Sequence, residues 1–134
     1  MKHIFDIGAE KTMQKKVTTN DLAHFDAQKV HDVYATFALA KDVEWACRQF
    51  VLEMKEPHEE GIGTMLNIEH ISPALLGEVV NFSCRISALK GNNVVCSYEV
   101  KVGDRLIAKG EQGQKILPKA KIDAIFKKLA NSTT

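Results

Sequence analysis

The sequence lacks any apolar run approaching the ~20 residues that cross a bilayer, and Asp6, Glu10 and Lys11 interrupt the opening MKHIFDIGAEK where a signal-peptide core would lie. A membrane-spanning protein is not expected, and a cytoplasmic location is. Charge of one sign is missing too. Lys and Arg number 18 against 17 Asp and Glu, a net charge of +1, so neither nucleic acid nor an anionic membrane is the expected partner. There are only three cysteines, Cys47, Cys84 and Cys96, an odd number without CxxC spacing. Cys84 and Cys96 share the alternation of apolar strand positions, and all three read as reduced, buried small hydrophobes. Motifs for metal, phosphate and serine chemistry are incomplete. His31-Asp32 stands without further ligands, His58-Glu59-Glu60 lacks the second histidine of a zinc-protease helix, Gly61-Ile62-Gly63 lacks a third glycine, and Ser72 has no GxSxG context. A metal centre is therefore not expected. Repeats, low-complexity tracts and linkers are absent as well.

What remains is 134 residues, 45% of them apolar, which suits one domain spanning 1–134. A domain of about this size buries roughly two-thirds of its unfolded surface and needs neither disulfide nor metal to fold. After a loose lead-in, residues 11–18 read as a first strand around Met13 and Val17. Residues 19–32 read as a loop or short helix anchored by Leu22, Phe25 and Val30, bearing on a pocket. From Tyr34 to Met54, the residues Leu39, Val43, Ala46, Cys47, Phe50, Val51 and Met54 recur at three- and four-residue steps. Such spacing is that of a helix packed on one broad face, expected to be largely enclosed. Pro57 and Gly61 follow as stop signals.

Four strand-like segments come next, at 62–70, 78–89, 93–102 and 105–117. Val80, Phe82, Cys84 and Ile86, then Val94, Cys96, Tyr98 and Val100, alternate as a half-buried antiparallel sheet requires. Gly91-Asn92-Asn93 and Gly103-Asp104 sit at hairpin positions. Ser72-Pro73 breaks the first segment and Gly77 precedes the second. From Pro118, which suits a first turn, residues 118–130 read as a short amphipathic helix with Ile122, Ile125, Phe126 and Leu129 on one face. The class is α+β: one long helix against an antiparallel meander.

Chemistry concentrates in Thr36, Glu44, Gly63 and His70. Thr36 lies near the helix start, where unpaired N–H groups and the positive end of the dipole favour an anion or a developing oxyanion. Its hydroxyl equally suits a cap. Glu44 lies two turns on, about 80° round the helix from Thr36; a carboxylate there serves as base or nucleophile if enclosed. His70 ends a strand-like segment and can donate, accept or shuttle a proton near neutral pH.

The stretch VYATFALAKDVEWA, followed by GIGTMLNIEHISPALLGEVV, resembles the fluoroacetyl-CoA thioesterase-like branch of the hotdog superfamily, in which a long central helix is wrapped by an antiparallel sheet. The residues that carry the likeness are Val33, Ala35, Thr36, Glu44, Gly63, His70, Pro73, Gly77 and Val80, and it covers about residues 10–117. The resemblance implies Glu44 as nucleophile on a thioester carbonyl or as base for water. It implies Thr36 as the group that polarises or orients, His70 as its hydrogen-bonded partner in proton transfer, and Gly63 as a backbone close to the acyl group. It also implies a homodimer, with the pocket between subunits, and no metal or cofactor beyond the coenzyme A of the substrate. Pairing of dimers into a tetramer stays open.

The chain departs from that pattern in three places. Phe37 replaces the proline that often follows the threonine, and puts a large aromatic beside the expected pocket. KGEQGQK, with Gln112 and Gln114, stands where a histidine and an arginine are frequent, and Lys109 and Lys115 read as solvated strand lysines. The region of the aromatic lid offers only Phe25, so fluoroacetyl-CoA is not the expected physiological substrate. The leading expectation is an acyl-CoA thioesterase acting on a short or medium acyl chain. The alternatives are a non-catalytic acyl-CoA or acyl-carrier binding protein and a hydratase or dehydratase on the same fold. No Asp–His pair five residues apart lies near His70 to favour the last.

Overall fold

The computed structural model describes the backbone of residues 1–25 and 28–132, and the side chains of these except 24, 25 and 28–30. The described residues form eight strands and two α-helices. They run β1 (Glu10–Lys16), β2 (Leu22–Phe25), β3 (Gln28–Tyr34), α1 (Thr36–Met54), β4 (Glu59–Leu66), β5 (Glu69–His70), β6 (Val79–Lys90), β7 (Asn93–Val102), β8 (Arg105–Pro118) and α2 (Lys119–Ser132). A six-stranded antiparallel sheet has the order β1-β6-β7-β8-β4, with β5 continuing beside β8.

The alternation read from the sequence places the sheet's inner face. Val80, Phe82, Cys84, Ile86, Val94, Cys96, Tyr98 and Val100 are all buried. They meet Leu39, Val43, Ala46, Cys47, Phe50, Val51 and Met54 of α1 in one core. Each fully buried aliphatic or aromatic side chain in that layer stabilises by roughly 1.5–3 kcal/mol. Cys47, Cys84 and Cys96 are free thiols in this layer, and Cys47 Sγ lies 3.7 Å from Cys84 Sγ. The hairpins fall where the glycines are: Gly91 and Gly103 adopt φ of 61° and 58°, the left-handed region that side chains resist.

Several expectations need correction. Residues 19–32 are neither loop nor helix alone: a 3-10 turn at Thr19–Asp21 leads into the β2–β3 hairpin. The helix begins at Thr36, and Tyr34 belongs to β3. The segment 62–70 is two strands, parted after Leu66. Pro118 ends β8, and the last helix runs over Lys119–Ser132 rather than 118–130. Only Ile122 of α2 is buried. Finally, α1 is not enclosed all round: Phe37 is 54% and Trp45 52% exposed.

Candidate active site

Two contacts bring the four singled-out residues together as two pairs. The first joins the start of α1 to the end of β5. Thr36 Oγ1 lies 2.9 Å from His70 Nδ1. Thr36 is the first helical residue, following Ala35 in extended conformation; Ala35 supplies no side-chain cap, and no acidic residue lies in the first turn. The positive end of the helix dipole is therefore left without a side-chain anion from that turn, next to a hydroxyl that points at an imidazole.

His70 is held by the ladder below it. It pairs with Ala108 of β8, and the N–H groups of Ile71 and Ser72 both donate to the Ile107 carbonyl, at 2.7 and 3.1 Å. Its Nε2 is buried and has no hydrogen-bond partner among the described residues. Burial depresses the imidazole pKa below its ordinary value, and a hydrogen bond with the Ser72 backbone only partly opposes this. A neutral ring at pH 7, with one nitrogen on Thr36 and the other aimed at no described polar group, is ready to take or give a proton. His70, Ile71, Ser72 and Pro73 line a small cleft of about 220 Å³.

The second pair joins α1 to β4. A Cβ on Gly63 would lie 2.5 Å from Glu44 Oε1, so the carboxylate rests directly on the glycine backbone. Gly61, two residues earlier on the same face, lies equally close to the helix: a Cβ there would meet Val51 Cγ1 at 2.6 Å. Arg48, one turn beyond Glu44, clasps the same strand, reaching Glu60 Oε1 at 2.7 Å and the Gly61 carbonyl at 3.4 Å. Glu44 itself is exposed in the single chain. Along α1 the two pairs are separated by roughly 12 Å of helix rise.

The other residues singled out from the sequence divide. Phe37 follows Thr36 on α1 and is largely exposed, as a wall of a pocket would be. The side chain of Phe25 lies outside the described residues. Gln112 and Gln114 are buried on the inner face of β8, where Gln114 Nε2 donates to Gln112 Oε1 at 3.1 Å. Gln114 pairs with Gly63 in register, and its Oε1 lies 3.2 Å from where a Cβ on Gly61 would sit. Lys109 is exposed and Lys115 half-buried. A larger recess of about 600 Å³ lies elsewhere, lined by residues such as Ser83, Arg85, Ser97, Glu99, Lys109 and Glu111 of the sheet's outward parity. None of the four site residues lines it, and of the four only His70 lines the smaller cleft. Among the described residues no group of His, Cys, Asp or Glu could hold a metal ion.

Sequence reasoning missed a polar cluster behind the helix start: Lys15, Asp21, Tyr34 and Asp42. No spacing reveals it, because its members come from four segments, and Tyr34 reads as a helix residue in the periodicity.

One long helix packed on a curled antiparallel sheet is the hotdog fold. A profile of the fluoroacetyl-CoA-specific thioesterases matches residues 17–120, and the chain belongs to that family. A thioesterase-superfamily protein of Thermus thermophilus is 34% identical, with 96% of each chain covered and a TM-score of 0.89. The fluoroacetyl-CoA thioesterase FlK is 19% identical over 97% of this chain and 98% of its own, with a TM-score of 0.84. A hot-dog-like protein from Thermanaerovibrio acidaminovorans is 20% identical over 97% and 94%, with a TM-score of 0.82. The last two share the fold. A search of curated proteins found no match.

Proposed function

We propose that this protein hydrolyses a short or medium acyl-CoA thioester to the free acid and CoA, using Glu44, Thr36 and His70. The observation that carries this reading is the 2.9 Å contact of Thr36 Oγ1 with His70 Nδ1 at an uncapped helix start. In the reaction a C–O bond to water forms and the C–S bond breaks. A thiolate leaves readily, so modest activation of the carbonyl suffices. Glu44 either removes a proton from the attacking water or attacks the carbonyl carbon itself, expelling the thiolate to leave an acyl–glutamate anhydride that water then hydrolyses. Thr36 and the helix start orient and polarise the carbonyl, His70 hydrogen-bonds to Thr36 and assists proton transfer, and the sulfur leaves as the thiolate. Each role is filled by a side chain, so the mechanism calls for no metal and no cofactor beyond substrate CoA. A point mutant of FlK has been solved with fluoroacetate and CoA bound, which supports a CoA thioester as the substrate class here.

The protein works as a homodimer in this reading. Strand β4 pairs with β8 on one side and has no partner on its other edge among the described residues. Phe37, Trp45, Met65 and Leu66 are exposed on β4 and α1. A second copy laid on this edge and face would cover Glu44. A reducing, cytoplasmic setting fits three free buried cysteines. No described helix is long and apolar enough to cross a membrane.

The exposure of Glu44 in the single chain keeps one rival in play: a protein that binds acyl-CoA or an acyl carrier without turnover. The deciding experiment is thiol release from a panel of acyl-CoAs, acetyl to decanoyl, by the wild type and Glu44→Gln, with the three cysteines blanked. Turnover that collapses by orders of magnitude in the variant establishes the hydrolase. No turnover across the panel, with tight binding in both forms, sinks it in favour of the binding protein.

A further inference from the structure

A polar brace that the reaction itself does not use ties α1, which holds Thr36, to β1 and β3 and, through the Tyr34 N–H, to the loop that follows His70. Lys15 Nζ on β1 lies 2.7 Å from Asp21 Oδ1 and 2.6 Å from Asp42 Oδ2 on α1. The Tyr34 hydroxyl donates to the same Asp42 oxygen. Asp21 also accepts from the Thr18 N–H and hydroxyl at 2.8 and 3.0 Å, and its backbone carbonyl accepts the Ala35 N–H at 2.8 Å. Tyr34 is 1% and Asp21 6% exposed.

Tyr34 occupies the junction. Its backbone N–H donates to the Ala74 carbonyl at 2.8 Å, gripping the loop that leaves His70. Its side chain grips α1 through Asp42. Two residues on, the helix presents Thr36. The charges agree with a built cluster rather than a chance one. Burial pulls the Lys15 pKa down, but its two carboxylate partners outweigh that and raise it. Burial pushes Asp21 up, but Lys15 and the Thr18 donors hold it below the usual carboxylate value. The Tyr34 phenol, buried against Asp42, is pushed well above its ordinary range and stays protonated as a donor.

Apolar packing alone does not explain why such a cluster sits here. The core fixes the spacing of helix and sheet, but hydrophobic contact is non-directional. Charge-assisted hydrogen bonds are directional and short, and a partly buried cluster is weakly screened. We propose that Tyr34, acting through Asp42 and Lys15, is a positioning residue that holds the Thr36 hydroxyl in register with His70. The inference rests on the reading that Thr36 takes part in thioester hydrolysis.

The test is a double-mutant cycle on the acyl-CoA that the wild type turns over fastest. Tyr34→Phe is made alone and in a Thr36→Ala background, and kcat, KM and melting temperature are read for each. The expected result is a fall in kcat of about 10- to 100-fold for Tyr34→Phe, with KM nearly unchanged, and no further fall when Thr36 is already Ala. Should Tyr34→Phe fail to fold, Asp42→Asn keeps the volume, removes the charge and takes its place in the same cycle. An equal loss in both backgrounds, or a lowered melting temperature with kcat intact, overturns the inference and leaves the site reading standing. Wild-type turnover in Thr36→Ala overturns both.

Discussion

Thr36 Oγ1 and His70 Nδ1 lie 2.9 Å apart although they are 34 residues distant in the chain. The contact crosses from a helix start to a two-residue strand, and both ends are fixed by backbone hydrogen bonds rather than by the side chains themselves. That makes the hydroxyl the replaceable part. Thr36→Ser keeps it and is expected to hold turnover within several-fold of wild type. Thr36→Ala removes it, leaves His70 Nδ1 without its partner, and is expected to lower kcat by about 10²-fold, the scale of losing one transition-state donor. Steady-state thiol release on both variants measures the difference, and equal activity in the two would take the hydroxyl out of the mechanism.

The imidazole sets the acid side of the pH profile. Burial holds the folded pKa of His70 below its ordinary 6.5, so the neutral ring persists to lower pH in the native protein than in the unfolded chain. Between the folded and unfolded values the unfolded state binds more protons, so stability rises with pH across that window. The contribution of His70 to stability is therefore fully present above pH 6.5 and is lost as pH falls through the folded pKa. The profile of kcat/KM should stay flat through neutrality and decline only on the acid side of the ordinary histidine value. The melting temperature should fall over the same interval, and His70→Asn should remove that part of its pH dependence. A decline in kcat/KM beginning above pH 7 would count against a depressed pKa.

Much of this arrangement was legible in the sequence, for reasons specific to each element. Helix α1 and strands β6 and β7 announce themselves because each buries one face against a single core, so apolar residues recur at the period of the element. The Thr36, Glu44, Gly63 and His70 set was legible only as a resemblance, since no local period carries it. The β2–β3 hairpin was missed because LAHF and QKVHDVY alternate weakly and no Asn-Gly or Asp-Gly pair joins them. Its register also shifts at Ala23. Pro118 misled because a proline suits a first helical turn, whereas here it is the last residue of β8 and the helix starts one residue later. The brace of Lys15, Asp21, Tyr34 and Asp42 had no signature, because it exists only once β1, the 3-10 turn, β3 and α1 have met.

Two glycines on β4 should respond to the same substitution in opposite ways. At Gly61 the added methyl meets Val51 Cγ1, part of a fully buried side chain in the core. Nothing there can yield cheaply, so Gly61→Ala is expected to cost about 1–3 kcal/mol of stability. At Gly63 it meets the carboxylate of Glu44, the far end of a flexible, exposed side chain. Gly63→Ala should therefore displace the carboxylate at little cost in stability and lower kcat by about 10-fold or more. Chemical denaturation and thiol release on the two variants give a crossed pattern. A Gly63→Ala protein that is destabilised as much as Gly61→Ala, with turnover intact, would mean that the close approach serves packing alone.

The open side of α1 bears on the oligomeric state. Trp45 is 52% exposed on the helix face next to Glu44, and an aromatic of that size left in water is an anchor for an interface. In an isolated chain Trp45→Asp is a surface change, worth within about 0.5 kcal/mol of stability. In a dimer that covers this face it buries an unpaired carboxylate and separates the subunits. Light scattering should find wild type at twice the mass of the chain and Trp45→Asp shifted towards one chain, with secondary structure retained. If the second copy encloses Glu44, thioesterase activity should fall with the dimer and recover as protein concentration rises. Full activity in a monomeric Trp45→Asp protein would place the complete site within one chain and remove the reason for pairing along β4.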